Sequence, residues 1–503
     1  MSRVFTFNET VRGHLHVMNG FPCEDSSSSF SAENNRYHIA IIADGHGAKS
    51  CFRSEYGSKV ASEVAMECLQ QFAETTLVLE ETEERFYKDI FSNPRYRQMT
   101  IKQLTDTILA KWHDRVLENY KNEPPTIEEM GDSVTEYQNG KNPLHIYGTT
   151  LLAALQMPGC LILLHQGDGR CDVFYEDGLV DQPIPWDPRC EDTTTTSLCD
   201  EDAGNSFRSC VINTSERPVT ACFVGSDGVE DAYRDTYEGL GNSHVLMGGV
   251  HTFYKYLICQ ISKLTQEEFV AWLPVFLEEF SADGIFSRTG SGDDVSVAGI
   301  LDLDKISAFT DKYGKDVKLY ALEEALFWKE DELRGKTRKH GILKKRYEEA
   351  RHAFEDAAST QETLENELVR MKKTRDEIEQ GVEEAKRDLD AYRQEAEEAP
   401  EQIENKYTNL KSVMQRIREE ISDGYSRKEA IYKKKKKHLL EYDTIIRQAE
   451  EKVNRGADQL QDLRAKNDAA KEAYEEYDSK YRAIEAERAK IEKEISDLQE
   501  GNM

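Results

Sequence analysis

Four times along this chain an aspartate beside glycine marks the place where a strand should begin or end, and this recurrence restricts the fold more than any other feature. The apolar run Tyr37-His38-Ile39-Ala40-Ile41-Ile42-Ala43 leads into Asp44-Gly45-His46-Gly47. Leu161 to Gln166 leads into Gly167-Asp168-Gly169-Arg170, and Ala221 to Gly225 into Ser226-Asp227-Gly228. Gly290-Ser291-Gly292-Asp293-Asp294 opens the apolar run Val295 to Ile300. A buried strand is rich in β-branched residues and holds the side chain at its tip on rigid backbone. Glycine beside such a tip leaves a carbonyl, here that of Gly45, free to approach a ligand closely. One Asp-Gly turn means little, because aspartate often caps turns; four of them predict a set of carboxylates gathered at strand ends.

The remaining pattern from Phe5 to about Leu303 mixes short apolar runs, Gly-rich turns and helical stretches, an α+β texture. Phe52, Val60, Val64, Cys68 and Phe72 share one helix face, and Leu104 to Tyr120 also predicts a helix. Thr149 to Leu155 and Leu161 to Gln166 predict a hairpin closed by Met157-Pro158-Gly159. Glu123 to Pro143, with Pro124, Pro125, Gly131 and Gly140, reads as a surface loop.

Composition narrows the partners. A net charge of −30 over 503 residues opposes nucleic acid or an anionic membrane and suits divalent cations. The ten cysteines lie between Cys23 and Cys259 without the spacing of a zinc site, and read as reduced thiols of a cytoplasmic protein. The N-terminus lacks the plan of a signal peptide, and Leu151 to Leu164 is too short and too interrupted to span a bilayer. Hard cations such as Mg²⁺ and Mn²⁺ take oxygen ligands. Asp44, the Gly45 carbonyl, Asp168, Asp227 and Asp293 would supply them without nitrogen or sulfur. Two such ions can share a hydroxide that attacks phosphorus.

In this order, Asp44-Gly45-His46-Gly47, Gly148-Thr149-Thr150, Gly167-Asp168-Gly169-Arg170, Ser226-Asp227-Gly228 and Gly292-Asp293-Asp294-Val295-Ser296-Val297 resemble the metal-dependent protein serine/threonine phosphatases of type 2C. Gly13-His14-Leu15-His16 and Gly20-Phe21-Pro22-Cys23-Glu24-Asp25 point to the bacterial branch. The resemblance covers about residues 5 to 303. It implies a β-sandwich flanked by helices, a phosphorylated protein as substrate, and two or three Mn²⁺ or Mg²⁺ ions in a cleft at one end of the sandwich. By the same resemblance Asp44 would bridge both metals and the Gly45 carbonyl would bind the first. Asp227 and Asp293 would hold the second, Glu24 would assist through water, and Asp168 with Asp227 would form a third position. His46 matches the general acid that protonates the leaving oxygen. Many members carry an arginine for the phosphate where this chain has Gly20, and Arg53 or His16 are the candidate replacements. Ala48 stands for a frequent second glycine, and Asp294 for a common asparagine.

Beyond about Lys315 the strands stop. Leu343, Tyr347, Ala350, Phe354, Ala357, Leu364, Leu368, Met371, Ile378, Val382, Ala385, Leu389, Tyr392, Ala396 and Ala399 follow alternating steps of four and three, with Gln361 and Arg375 as polar exceptions. Leu460, Leu463, Ala470, Tyr474, Tyr477, Tyr481, Ile484, Ile491, Ile495 and Leu498 form a second seam, with Asn467 and Arg488 in it. Ser422-Asp423-Gly424-Tyr425-Ser426 is the best turn between them, which predicts an antiparallel coiled-coil hairpin, a parallel dimer being the rival. Pro400 and Gly456 should kink or interrupt the arms. The expected division is a phosphatase-like domain over 1–305, a helical linker over 306–340 and a coiled-coil arm over 341–500. The arm would serve localisation, assembly or regulation through a coiled-coil partner or self-association. A catalytically weak scaffold that reads phosphate is the competing function.

Overall fold

The computed structural model describes residues 3–131, 142–190, 194–233, 247–404 and 411–501. Among the described residues, ten strands form two antiparallel five-stranded sheets. The first runs β1 (Val4–Val11), β10 (Val295–Asp302), β9 (Val219–Gly225), β6 (Arg170–Tyr175) and β7 (Val180–Asp181). The second runs β2 (Ser26–Ser31), β3 (His38–Ala43), β4 (Leu151–Met157), β5 (Cys160–Gln166) and β8 (Arg208–Asn213).

Strand periodicity explains how the layers form. Along β3, Ala40 and Ile42 face the other sheet and, with Leu152 and Leu163 of their own sheet, meet Cys222, Val224 and Ala298 across the sandwich. Ile39, Ile41 and Ala43 face outward onto helices α2 (Ser54–Thr76), α3 (Glu80–Ser92) and α4 (Pro94–Asn122). Successive side chains of a strand point to opposite faces, so a run that is apolar throughout belongs between two apolar layers. On the other side Phe5, Phe7, Phe223 and Leu301 pack against α5 (Met247–Ile261) and α6 (Gln266–Asp283) through Phe253, Tyr254, Phe269 and Phe280.

The expected hairpin is present, with Met157 opposite Cys160 and Gly159 at φ 75° in its turn. Val60, Val64 and Cys68 are buried on α2 as their spacing requires, whereas Phe52 precedes the helix. The Glu123–Pro143 stretch contains a short helix, Ile127–Met130, and residues 132–141 lie outside the described residues.

The chain divides into two compact units, Met1–Trp328 with Ala489–Met503, and Lys329–Arg488. The second unit consists of parts of two long helices, α7 (Thr310–Glu404) and α8 (Lys411–Gln499). They pair antiparallel within one chain: His340 Nε2 lies 2.7 Å from Asp478 Oδ1, Gln361 Nε2 donates to the Val453 carbonyl at 3.1 Å, and Arg375 Nε to Asp443 Oδ1 at 2.9 Å. Val382, Ala385, Leu389 and Ile484 are buried in the seam.

The turn at Ser422–Ser426 is corrected: those residues lie inside α8. Gly424 is explained by the opposite helix, since a Cβ there would collide with the Tyr392 hydroxyl. Gly456 likewise faces Gln361 Oε1. Both glycines serve close approach between helices. Position 400 falls within α7. Among the described residues, no helix is long and apolar enough to cross a membrane.

Candidate functional site

Strand direction accounts for the gathering of the aspartates. β3 and β5 both run antiparallel to β4, so their carboxyl ends, with Asp44 and Asp168 just beyond, lie at one edge of their sheet. β9 and β10 are antiparallel, which sets Asp227 after the end of β9 beside Asp293 before the start of β10. Across the sandwich, carboxylate oxygens of Asp44, Asp168 and Asp227 come within 4.8 Å of one another, as do those of Asp227, Asp231 and Asp293.

The backbone around Asp44 is fixed from the neighbouring strand. Thr150 Oγ1 accepts from the Asp44 N–H at 3.0 Å, and the Asp44 carbonyl accepts from the Thr150 N–H at 2.8 Å and the Thr149 hydroxyl at 2.9 Å. The His46 N–H donates to the Gly148 carbonyl at 3.1 Å. Gly45 must be glycine, because a Cβ would collide with the Glu24 carbonyl. Glu24 is itself held by three bonds: its N–H donates to Asp294 Oδ2 at 2.6 Å, Ser54 Oγ donates to its Oε1 at 2.7 Å, and Ser58 Oγ to its carbonyl at 2.5 Å.

Burial and like charge raise the cost of ionising this cluster. Loss of water, then the Asp227 charge, pushes Asp44 well above the usual carboxylate range. Asp227 is pushed the same way by burial and by Asp168. Asp25, which burial and the charges of Asp294 and Asp293 raise to about 8, has a buried Oδ2 with no hydrogen-bond partner. Burial, with His145 nearby, pulls the His46 imidazole down to about 4. An all-oxygen set of half-buried carboxylates with an orphaned oxygen beside it fits a hard divalent cation.

Of the two candidate phosphate contacts, the structure brings one to the cluster. His16 Nε2 lies 3.2 Å from Asp293 Oδ1, and its Nδ1 lies 3.0 Å from Asp294 Oδ1. Arg53 is engaged elsewhere: its guanidinium pairs with Glu129 at 2.9 Å and donates to the Glu123 carbonyl at 2.7 Å and to Tyr147 Oη at 3.2 Å. It binds the end of α4 to the following turn, a structural task. The absence of arginine at position 20 also has a local cause. Helix α1 (His14–Asn19) ends there, and Gly20 closes it at φ 75° with its N–H on the Val17 and His16 carbonyls. Left-handed backbone of this kind favours glycine.

Three acidic groups were not singled out as ligands from the sequence. Asp231 lies four residues after Asp227, one helical turn on, a spacing that could have revealed it. Asp294 is buried and accepts from the Gly13 and Glu24 N–H groups at 2.6 Å each, so its charge holds two loops beside Asp293. Asp25 has no sequence signal beyond its neighbour Glu24; only folding reveals its burial.

Residues 12–278, more than half of the chain, match the protein phosphatase 2C family. Similar solved structures include a bacterial serine phosphatase at 15% identity, covering 60% of this chain and 98% of that one with a TM-score of 0.34. The catalytic domain of the serine threonine protein phosphatase PstP, in complex with two manganese ions, shares 16% identity over 59% of this chain and 97% of its own, with a TM-score of 0.33. Stp1 from Staphylococcus aureus shares 14% over 60% and 95%, with a TM-score of 0.32. No curated protein matches the sequence. The family match covers residues 12–278. By that match, which spans the acidic strand ends from Asp44 to Asp227, the chain belongs to the protein phosphatase 2C family.

Proposed function

We propose that this protein is a divalent-metal-dependent phosphomonoesterase that hydrolyses phosphoserine and phosphothreonine on proteins. The observation that carries the reading is the approach of Asp44, Asp168 and Asp227 oxygens to within 4.8 Å of one another from three separate strand ends. Asp44, the Gly45 carbonyl, Asp227 and Asp293 would hold two Mn²⁺ or Mg²⁺ ions, with Glu24 acting through water and Asp168 and Asp231 serving a third. Such ions, when bound, supply a water of lowered pKa as nucleophile and offset charge on the phosphoryl oxygens.

The protein's own groups do the rest. Asp294 fixes the loops of Gly13 and Glu24, so Asp293 and His16 are held beside the ion site rather than swinging into solvent. His46 is the general acid for the leaving seryl or threonyl oxygen. For that role the imidazole must carry a proton when the phosphorylated residue is bound. His16 is the remaining candidate for contact with the phosphate. Activity is assigned to residues 1–305 in the cytoplasm, with the arm of 341–500 raising the local concentration of a partner or substrate.

A scaffold with weak or no turnover is the second reading, favoured by Gly20 and by the engagement of Arg53 with Glu129. Purified protein with Mn²⁺ and a phosphothreonine peptide separates the two. Turnover that Asp227→Asn lowers by about 10²-fold or more supports the enzyme; wild-type protein that binds Mn²⁺ yet releases no phosphate supports the scaffold.

A further inference from the structure

Helix α1 is six residues long and has none of them buried. It nevertheless carries Leu15, Val17 and Met18, and Phe21 follows it; their exposed fractions are 52%, 56%, 70% and 56%. Large apolar groups left this open within seven residues mark a surface that something covers. The helix is fastened to the carboxylate site. Leu15 packs on Gly292, where a Cβ would stand 2.7 Å from Leu15 Cδ1, and the Leu15 N–H donates to the Gly292 carbonyl at 2.8 Å. Gly292 directly precedes Asp293. The Phe21 ring meets the His16 ring edge-on with centroids 6.0 Å apart, and His16 in turn lies against Asp293. The same helix ends in the left-handed Gly20 that takes the place of a phosphate-gripping arginine.

We propose that this apolar lip binds apolar side chains flanking the phosphorylated residue of the protein substrate, so that the chain grips its substrate hydrophobically where relatives use a cation. The proposal rests on the phosphatase reading above and adds the substrate's sequence class to it. Continuity with the site selects this occupant: a phosphate beside Asp293 places the residues two or three positions away, at about 3.3 Å per residue in an extended peptide, over a helix about 9 Å long. Main-chain and phosphate contacts position any phosphopeptide; the lip would select among them through buried apolar area.

The test compares two phosphothreonine peptides, identical except that one has Leu and Phe, the other Ser and Gly, within three residues of the phosphothreonine. The full-length protein is assayed with Mn²⁺, as wild type, Met18→Ser, Val17→Ser and Met18→Leu. The expected result is a preference of about tenfold in kcat/KM for the apolar peptide, collapsing toward unity in the two serine variants and kept by Met18→Leu. Equal turnover of both peptides by the wild type overturns the lip and leaves the phosphatase reading standing. A preference that the serine variants do not move, or serine variants that change only the molecular mass in sedimentation, overturns the assignment to α1, the latter in favour of a second copy as occupant. Failure to hydrolyse either peptide or a chromogenic phosphoester overturns both readings.

Discussion

At the scale of single residues the site is a compromise between folding and ion binding. Folded-state pKa values of Asp44 and Asp227 lie above the ordinary value of 3.8, so the metal-free folded protein favours their protonated forms. Their contribution to stability is present below about pH 4 and is lost as pH rises through the folded values. At pH 7 without divalent ions the pair therefore works against folding. Asp227→Asn should raise the metal-free Tm by a few degrees while abolishing the rise that Mn²⁺ gives the wild type, both read by calorimetry. His38 behaves in the opposite sense. It is 3% exposed, Nδ1 lies 2.9 Å from Ser31 Oγ, and burial pulls its pKa down to about 4. The unfolded chain then binds the extra proton between about pH 6.5 and pH 4, so stability falls as pH falls through that window. Relative to wild type, His38→Gln should flatten the fall by on the order of 2 kcal/mol, measured from denaturant midpoints at pH 7 and pH 4.5.

At the scale of elements, the glycines of α8 answer to the helix opposite. Alanine normally stabilises a helix interior over glycine by about 1 kcal/mol. At Gly424 the added methyl meets both the Tyr392 hydroxyl and the ring carbon Cζ, the latter at 2.5 Å, so Gly424→Ala should destabilise the full chain, and Tyr392→Ala, which removes the ring, should relieve the clash. A coupling of about 1 kcal/mol in a double-mutant cycle is the expected reading, and additivity would refute the contact. The sequence reading places a turn at Gly424 because glycine and its Ser/Asp neighbours are the commonest helix terminators. It misses the alternative use of glycine because the partner, Tyr392, is remote in sequence. Helices α5 and α6 escape the reading too: both are apolar enough to be buried against a sheet, and Phe253, Tyr254, Phe276 and Phe280 leave little polar face to mark the period.

At the scale of the whole molecule the two units should respond differently to metal. Ions that bind only the folded first unit stabilise it by about 2.7 kcal/mol at a concentration 100 times Kd. Calorimetry of the full chain should show one transition that Mn²⁺ moves upward and another, from residues 329–488, that it does not. The sequence by itself determined the strands that lead into or out of the four aspartates, and the heptad seams, because strand and helix periodicity and glycine-flanked turns are local properties of the chain. Tertiary structure decided the rest: that Arg53 binds Glu129, that Asp25 and Asp294 are buried acids beside the site, and that Leu15, Val17, Met18 and Phe21 stand exposed around a short helix next to Asp293. Those outcomes depend on which groups distant in sequence share one desolvated volume, and desolvation is set by the packed fold rather than by neighbours along the chain.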